Sequence, residues 1–81
     1  MLNSATILTI MEPRNRIKLV LKEKGVKAKW LAQKLEKSYP TIIAYTSNTR
    51  QPSLEDLYRI AELLGVSPID LLEKIERNNK N

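Results

Sequence analysis

Ten cationic side chains, Arg14, Arg16, Lys18, Lys22, Lys24, Lys27, Lys29, Lys34, Lys37 and Arg50, lie between positions 14 and 50 against only Glu23 and Glu36, a net +8. Residues 51–81 carry −2 and Glu12 a further −1. A basic cluster confined to one half of a small chain attracts a polyanion to one side of it. On charge alone, a solvated lysine-rich surface is the lesser alternative. Covalent chemistry has little to work with, because the chain holds neither cysteine nor histidine. That excludes a disulfide framework, a thiolate or imidazole zinc site, and a Ser-His or Cys-His pair. The expectation is therefore a binding protein rather than an enzyme, with no cofactor, no metal and no evident small-molecule substrate.

Positioning such a cluster requires a folded scaffold. Hydrophobic residues at 42% and charged residues at 28% suit a globular domain and are too apolar for a disordered one. Eighty-one residues allow one domain, near the size at which a core often needs help from a partner. No apolar run reaches the roughly 18 to 20 residues of a membrane span, and MLNSATILTIMEPR has no cationic segment ahead of its apolar stretch. A cytoplasmic location without a membrane partner is expected.

Helical spacing recurs along the chain. Ile17, Val20 and Leu21 mark a first helix over about Pro13 to Lys24, stopped by Gly25. Ala28, Leu31, Ala32 and Leu35 give a second, from about Lys27 to Leu35. After Glu36-Lys37, Ser38 is placed to cap a third helix; Pro40 has no N–H, so the receiving donor is that of Thr41. Ile42 and Tyr45 form that helix's inward stripe, leaving Ile43 and Ala44 outward, and Asn48 suits a left-handed terminator.

Ser53-Leu-Glu-Asp56 reads as a capping box for a fourth helix with Leu54, Leu57, Tyr58, Ala61 and Leu64 on one face and Gly65 at its end. Ser67-Pro-Ile-Asp70 repeats the device for a fifth, whose buried side would be Ile69, Leu72 and Ile75. Trp30, off the main stripe of the second helix, is expected to pack against the first helix or the tail. Residues 1–12 form an N-terminal arm of uncertain order, 13–76 the domain, and 77–81 a polar tail.

A short helix, a three-residue break and a second short helix require a small residue where the helices cross, and Ala32 supplies it. Together with Leu31-Ala32-Gln33-Lys34-Leu35, Ser38, Arg50-Gln51-Pro52-Ser53-Leu54 and Leu63-Leu64-Gly65-Val66-Ser67-Pro68-Ile69-Asp70-Leu71-Leu72, this makes residues 15–72 resemble the Xre family, the phage repressor and Cro type of helix-turn-helix domain. The resemblance implies an all-α, five-helix, lambda-repressor-like bundle with its helix-turn-helix at helices two and three. Helix three would enter the major groove and helix two would brace it on the phosphates. Four positions depart from the family pattern. Ala28 stands where a phosphate-contacting Gln is usual, Glu36 and Asn48 where Gly is usual, and Lys37 where an apolar residue is usual.

What the resemblance implies for function is sequence-specific binding of double-stranded DNA by a transcriptional regulator of the repressor kind, acting as a homodimer. Tyr39, Pro40, Ile43 and Ala44 would face base edges, with Ile43 and Pro40 suited to thymine methyl groups. Lys27, Lys29, Lys37, Thr41, Asn48, Thr49 and Arg50 would take phosphates. Ile69, Leu72 and Ile75 are the candidate dimer surface. A protein-protein module, or an antitoxin or restriction-modification controller of the same fold, is the alternative.

Overall fold

The computed structural model describes residues 14–73. The arm at 1–12, the tail at 77–81 and Ile75 lie outside the described residues. Four α-helices, α1 Ile17–Lys24, α2 Ala28–Leu35, α3 Tyr39–Thr46 and α4 Leu54–Leu64, are followed by a single 3₁₀ turn, Pro68–Leu71. Each of these five elements sends one fully buried side chain to the centre: Ile17, Leu31, Ile42, Ile60 and Leu71. Around them close Val20, Leu21, Ala32, Leu35, Tyr45, Leu57, Ala61 and Leu64. The helix-turn-helix pair α2 and α3 packs together, with α1 across α3 and α4 beneath α2.

Three helices stop by one device. After α1, Gly25 donates to the Lys22 carbonyl at 3.1 Å and Val26 to Leu21 at 2.9 Å; after α4, Gly65 and Val66 do the same to Glu62 and Ala61. After α2, the left-handed position falls to Glu36, with φ 57°, and Lys37 donates to the Ala32 carbonyl at 3.0 Å. Glycine carries no Cβ penalty in that conformation, whereas Glu36 bears roughly 1–2 kcal/mol of strain. Asn48 is the other non-glycine residue with positive φ, at 63°, as its type suggested.

Helix starts follow the predicted caps in part. Ser38 Oγ accepts from the Thr41 N–H at 3.3 Å, and Ser53 Oγ from the Asp56 N–H at 3.1 Å. The reciprocal half of the Ser53–Asp56 box is absent, because the Asp56 carboxylate turns inward instead, toward Tyr45 and Lys37. At the 3₁₀ turn, Asp70 does reach back to the Ser67 N–H, at 3.0 Å.

Three expectations are corrected. The face of α4 is centred on Leu57, Ile60, Ala61 and Leu64, so Tyr58, about 100° around the helix from Leu57, is 58% exposed and Leu54 70%. The first helix begins at Ile17 because residues 14–16 lie outside helical geometry, Asn15 in a β-bridge and Arg16 at φ −112°, ψ 25°. They pair with the chain's far end: Arg16 N–H donates to the Leu71 carbonyl at 2.7 Å, and Glu73 N–H to that of Arg14 at 2.9 Å. This antiparallel bridge of Asn15 and Leu72 draws the backbone out of helical geometry at Leu72, so no fifth α-helix forms among the described residues. The buried residue of that turn is Leu71, while Ile69 and Leu72 face outward, 64% and 42% exposed. Trp30 packs partly buried against the core, and the Lys34 ammonium stands 5.8 Å from its ring centroid.

Candidate nucleic-acid interface

The outward face of α3 is short and free of charge. Eight residues long, the helix turns Ile42 and Tyr45 into the core and leaves Tyr39, Pro40 and Ile43 exposed, with Ala44 half-buried. Tyr39 and Pro40 form its first turn. Ser38 fixes that turn from below, both through the Thr41 amide and through a 2.8 Å contact between the two hydroxyls.

Cations bracket both ends of this helix. At one end, Lys27, Ala28, Lys29 and Tyr39 line a common groove, bringing the start of α2 beside the start of α3. Lys27 is the extended N-cap of α2 and supplies no side-chain cap. The first-turn amides of α2 and two exposed ammonium groups therefore share one site, a combination that favours an anion. At the other end, exposed Thr49 and Arg50 follow directly, and both of their amides donate to the Ala44 carbonyl, at 3.0 and 3.1 Å. That shared acceptor folds the loop back under the end of α3.

Four of the predicted polar residues are engaged within the fold: Thr41 with Ser38, Thr49 with Ser47, Lys37 with Asp56 and Asn48 with Asn15. Lys37 occupies the place that Val26 and Val66 hold after the other two stops, but its ammonium pairs with Asp56 at 3.2 Å rather than reaching outward alone. Asp56 is 7% exposed and also accepts from the Tyr45 hydroxyl at 3.2 Å. Burial, the hydrogen bond and the neighbouring carboxylate raise the Tyr45 phenol above its usual pKa, so it remains a donor. A charged residue in the turn is thus tied to α4 and to the inner face of α3.

Asn48 is held by Asn15. The Asn15 side chain, 5% exposed, donates to the Tyr45 carbonyl at 2.9 Å and to Gln51 Oε1 at 2.7 Å, while its Oδ1 accepts from the Ile17 N–H at 2.9 Å. It therefore caps α1, satisfies an end carbonyl of α3 and fastens the loop that carries Arg50. Sequence reasoning passed over Asn15, Gln51 and the inward turn of Asp56. A lone Asn before a helix is a weak signal, and the capping-box pattern pointed Asp56 the other way.

Among the described residues no group of His, Cys, Asp and Glu could hold a metal, and no helix is long and apolar enough to cross a membrane. A family model described as helix-turn-helix matches residues 17–71. No curated protein matches the chain. A crystal structure from Bacteroides fragilis, of a protein provisionally described as DNA-binding, is similar at 48% identity and a TM-score of 0.74, over 75% of this chain and 98% of that one. The match spans all four helices and the 3₁₀ turn that build the site, and the chain belongs to the helix-turn-helix family, of the Xre-like kind its sequence resembles.

Proposed function

We propose that this protein binds double-stranded DNA with α3 in the major groove and acts as a transcriptional regulator of the repressor type. The observation that carries the reading is the bracketing of an uncharged, exposed α3 face by Lys27 and Lys29 at one end and Thr49 and Arg50 at the other. A helix laid in the major groove meets bases along its face and phosphate strands at its two edges. Family membership and the similar protein provisionally described as DNA-binding support the same reading.

In this reading Tyr39, Pro40, Ile43 and Ala44 touch base edges, by apolar contact and the one phenol. Lys27, Lys29, Thr49 and Arg50 take phosphates directly. Thr41, Lys37 and Asn48 belong to the same edges, where their bonds to Ser38, Asp56 and Asn15 hold the edges in shape. Because no Arg, Gln or Asn lies in the Tyr39–Thr46 helix, direct readout is modest, and DNA shape and water carry part of the preference.

Titration of a random-sequence duplex across a salt series tests this. The logarithm of affinity falls linearly with that of salt, at about −0.9 per phosphate contact, and selection from a random library returns one preferred site. A flat salt plot overturns DNA binding; binding without a preferred site overturns the specific regulator.

A further inference from the structure

A second basic groove lies apart from the α3 face, between the outer side of α1 and the C-terminal end of α3. Arg16, Lys18 and Lys22 line it, and none of the three has an ion-pair partner among the described residues. The one carboxylate on its wall, Glu73, is already paired with Arg14 at 3.4 Å. The groove therefore holds uncompensated positive charge.

We propose that this groove seats the phosphate backbone of the same duplex, beyond the stretch that α3 reads. The proposal rests on the DNA-binding reading above. Two observations select a nucleic-acid backbone over an acidic polypeptide. Thr46 and Ser47, on the α3 side, donate their hydroxyls to their own helix, to the Ile43 and Ala44 carbonyls at 2.9 and 3.2 Å. What remains to recognise a ligand is charge, which suits a chain with the same anion at every step. Leu19 is the groove's one large apolar side chain, whereas a docking peptide helix needs several apolar anchor pockets at helical spacing.

The groove is also continuous with the proposed phosphate edge. Ser47 on its rim contacts the Thr49 hydroxyl at 2.8 Å, and Asn48, part of its lining, immediately precedes Thr49 and Arg50. The Asn15 and Asn48 pair joins α1 rigidly to the end of α3 across it. A backbone leaving Arg50 meets Lys18 and Lys22, one helical turn apart on α1.

The experiment compares wild type with the double variant Lys18→Ala, Lys22→Ala, both exposed positions, on random duplexes of about 12 and about 30 base pairs; Lys34→Ala, outside the groove, is the control. Wild type shows a salt slope steeper by about 2 on the longer duplex, as two further contacts at 0.9 each require. The double variant loses that increment, retains the short-duplex slope and melts as wild type does, while the control keeps both. A double variant that keeps the increment overturns the groove alone. One that keeps it but loses capture of an oligoglutamate peptide assigns the groove to an acidic polypeptide and overturns the proposal likewise. A wild type with flat slopes on both duplexes overturns DNA binding and the groove with it.

Discussion

Asn15 and Asn48, thirty-three residues apart, hold each other twice: the Asn15 N–H donates to Asn48 Oδ1 at 2.7 Å, and Asn48 Nδ2 donates to the Asn15 carbonyl at 3.1 Å. The pair locks the entry to α1 onto the loop that leaves α3. Because Asn48 is left-handed, its side chain swings back toward Asn15 while the backbone turns on toward Arg50. Orientation of the loop that carries Arg50 thus depends on a residue before the first helix.

Replacing Asn15 by Ala leaves the buried Tyr45 carbonyl and the Ile17 N–H without their side-chain partners. The Tyr45 carbonyl keeps the Asn48 N–H at 3.2 Å, so the Ile17 N–H is the group left unsatisfied, and a loss of roughly 1–3 kcal/mol is expected in urea denaturation. Gln51→Ala, which removes contacts to Asn15 and Asn48 nearer the surface, where water replaces them, costs less, about 1 kcal/mol or below on the same scale. Equal costs for the two would show that Asn15 is no junction.

Glu36→Gly is expected to stabilise the fold by about 1 kcal/mol, because the left-handed stop of α2 then matches those of α1 and α4. Gly25→Ala and Gly65→Ala move in the opposite direction by a similar amount. Space is not the reason, since an added Cβ meets nothing within 4 Å at either glycine. The cost is conformational, and thermal melts of the three variants measure it.

Tyr45 gives the stability a pH dependence at the alkaline end. Its folded pKa is raised, by burial first and then by Asp56, so the folded state holds the proton more tightly than the unfolded chain. The contribution is complete below the unfolded value of about 10 and is lost as pH rises through the folded one. The stability difference between wild type and Tyr45→Phe therefore narrows steadily above pH ~10. A difference that is constant through that range removes the Asp56 contact from the account.

Much of this was legible in the sequence, and the misses share a cause. The stops at Gly25 and Gly65 and the Ser38 and Ser53 caps are local signals, each set by a few neighbouring residues. The non-helical segment at Arg14–Arg16 and the end of helical geometry at Leu72 are decided by pairing between segments distant in sequence, to which periodicity is blind. Tyr58 misled because it lies near the apolar stripe without being in it. Lys37 looked like a free cation, and only the tertiary arrangement reveals the buried Asp56 opposite it.

Positioning and reading separate by mutation. Arg50→Ala weakens binding to every duplex about equally, whereas Tyr39→Ala and Ile43→Ala chiefly lower preference for the selected site, by roughly 1–3 kcal/mol per affected base pair. Each variant is measured on the selected site and on random DNA. If both Tyr39→Ala and Ile43→Ala leave the specificity ratio unchanged, α3 does not face the bases.

Assembly follows from how little an eight-residue helix with one phenol can read alone. A two-fold dimer doubles the contacts, and it places two α3 helices about 34 Å apart, or a multiple of that, over an inverted repeat with half-sites about 10 base pairs apart. The surface proposed for it includes Ile69 and Leu72, which the bundle leaves 64% and 42% exposed, together with Ile75 outside the described residues. Their exposure has a structural origin: among the described residues Leu71 alone fills the core from this turn, and Leu72 is extended in its bridge to Asn15. Ile69→Lys places a charge there without touching the core, and the expected outcome is at least a tenfold weaker self-association by sedimentation, with folding and binding to a half-site intact. Footprinting of wild type then shows two protected half-sites. A strictly monomeric wild type that protects one asymmetric half-site removes the dimer and leaves DNA binding standing.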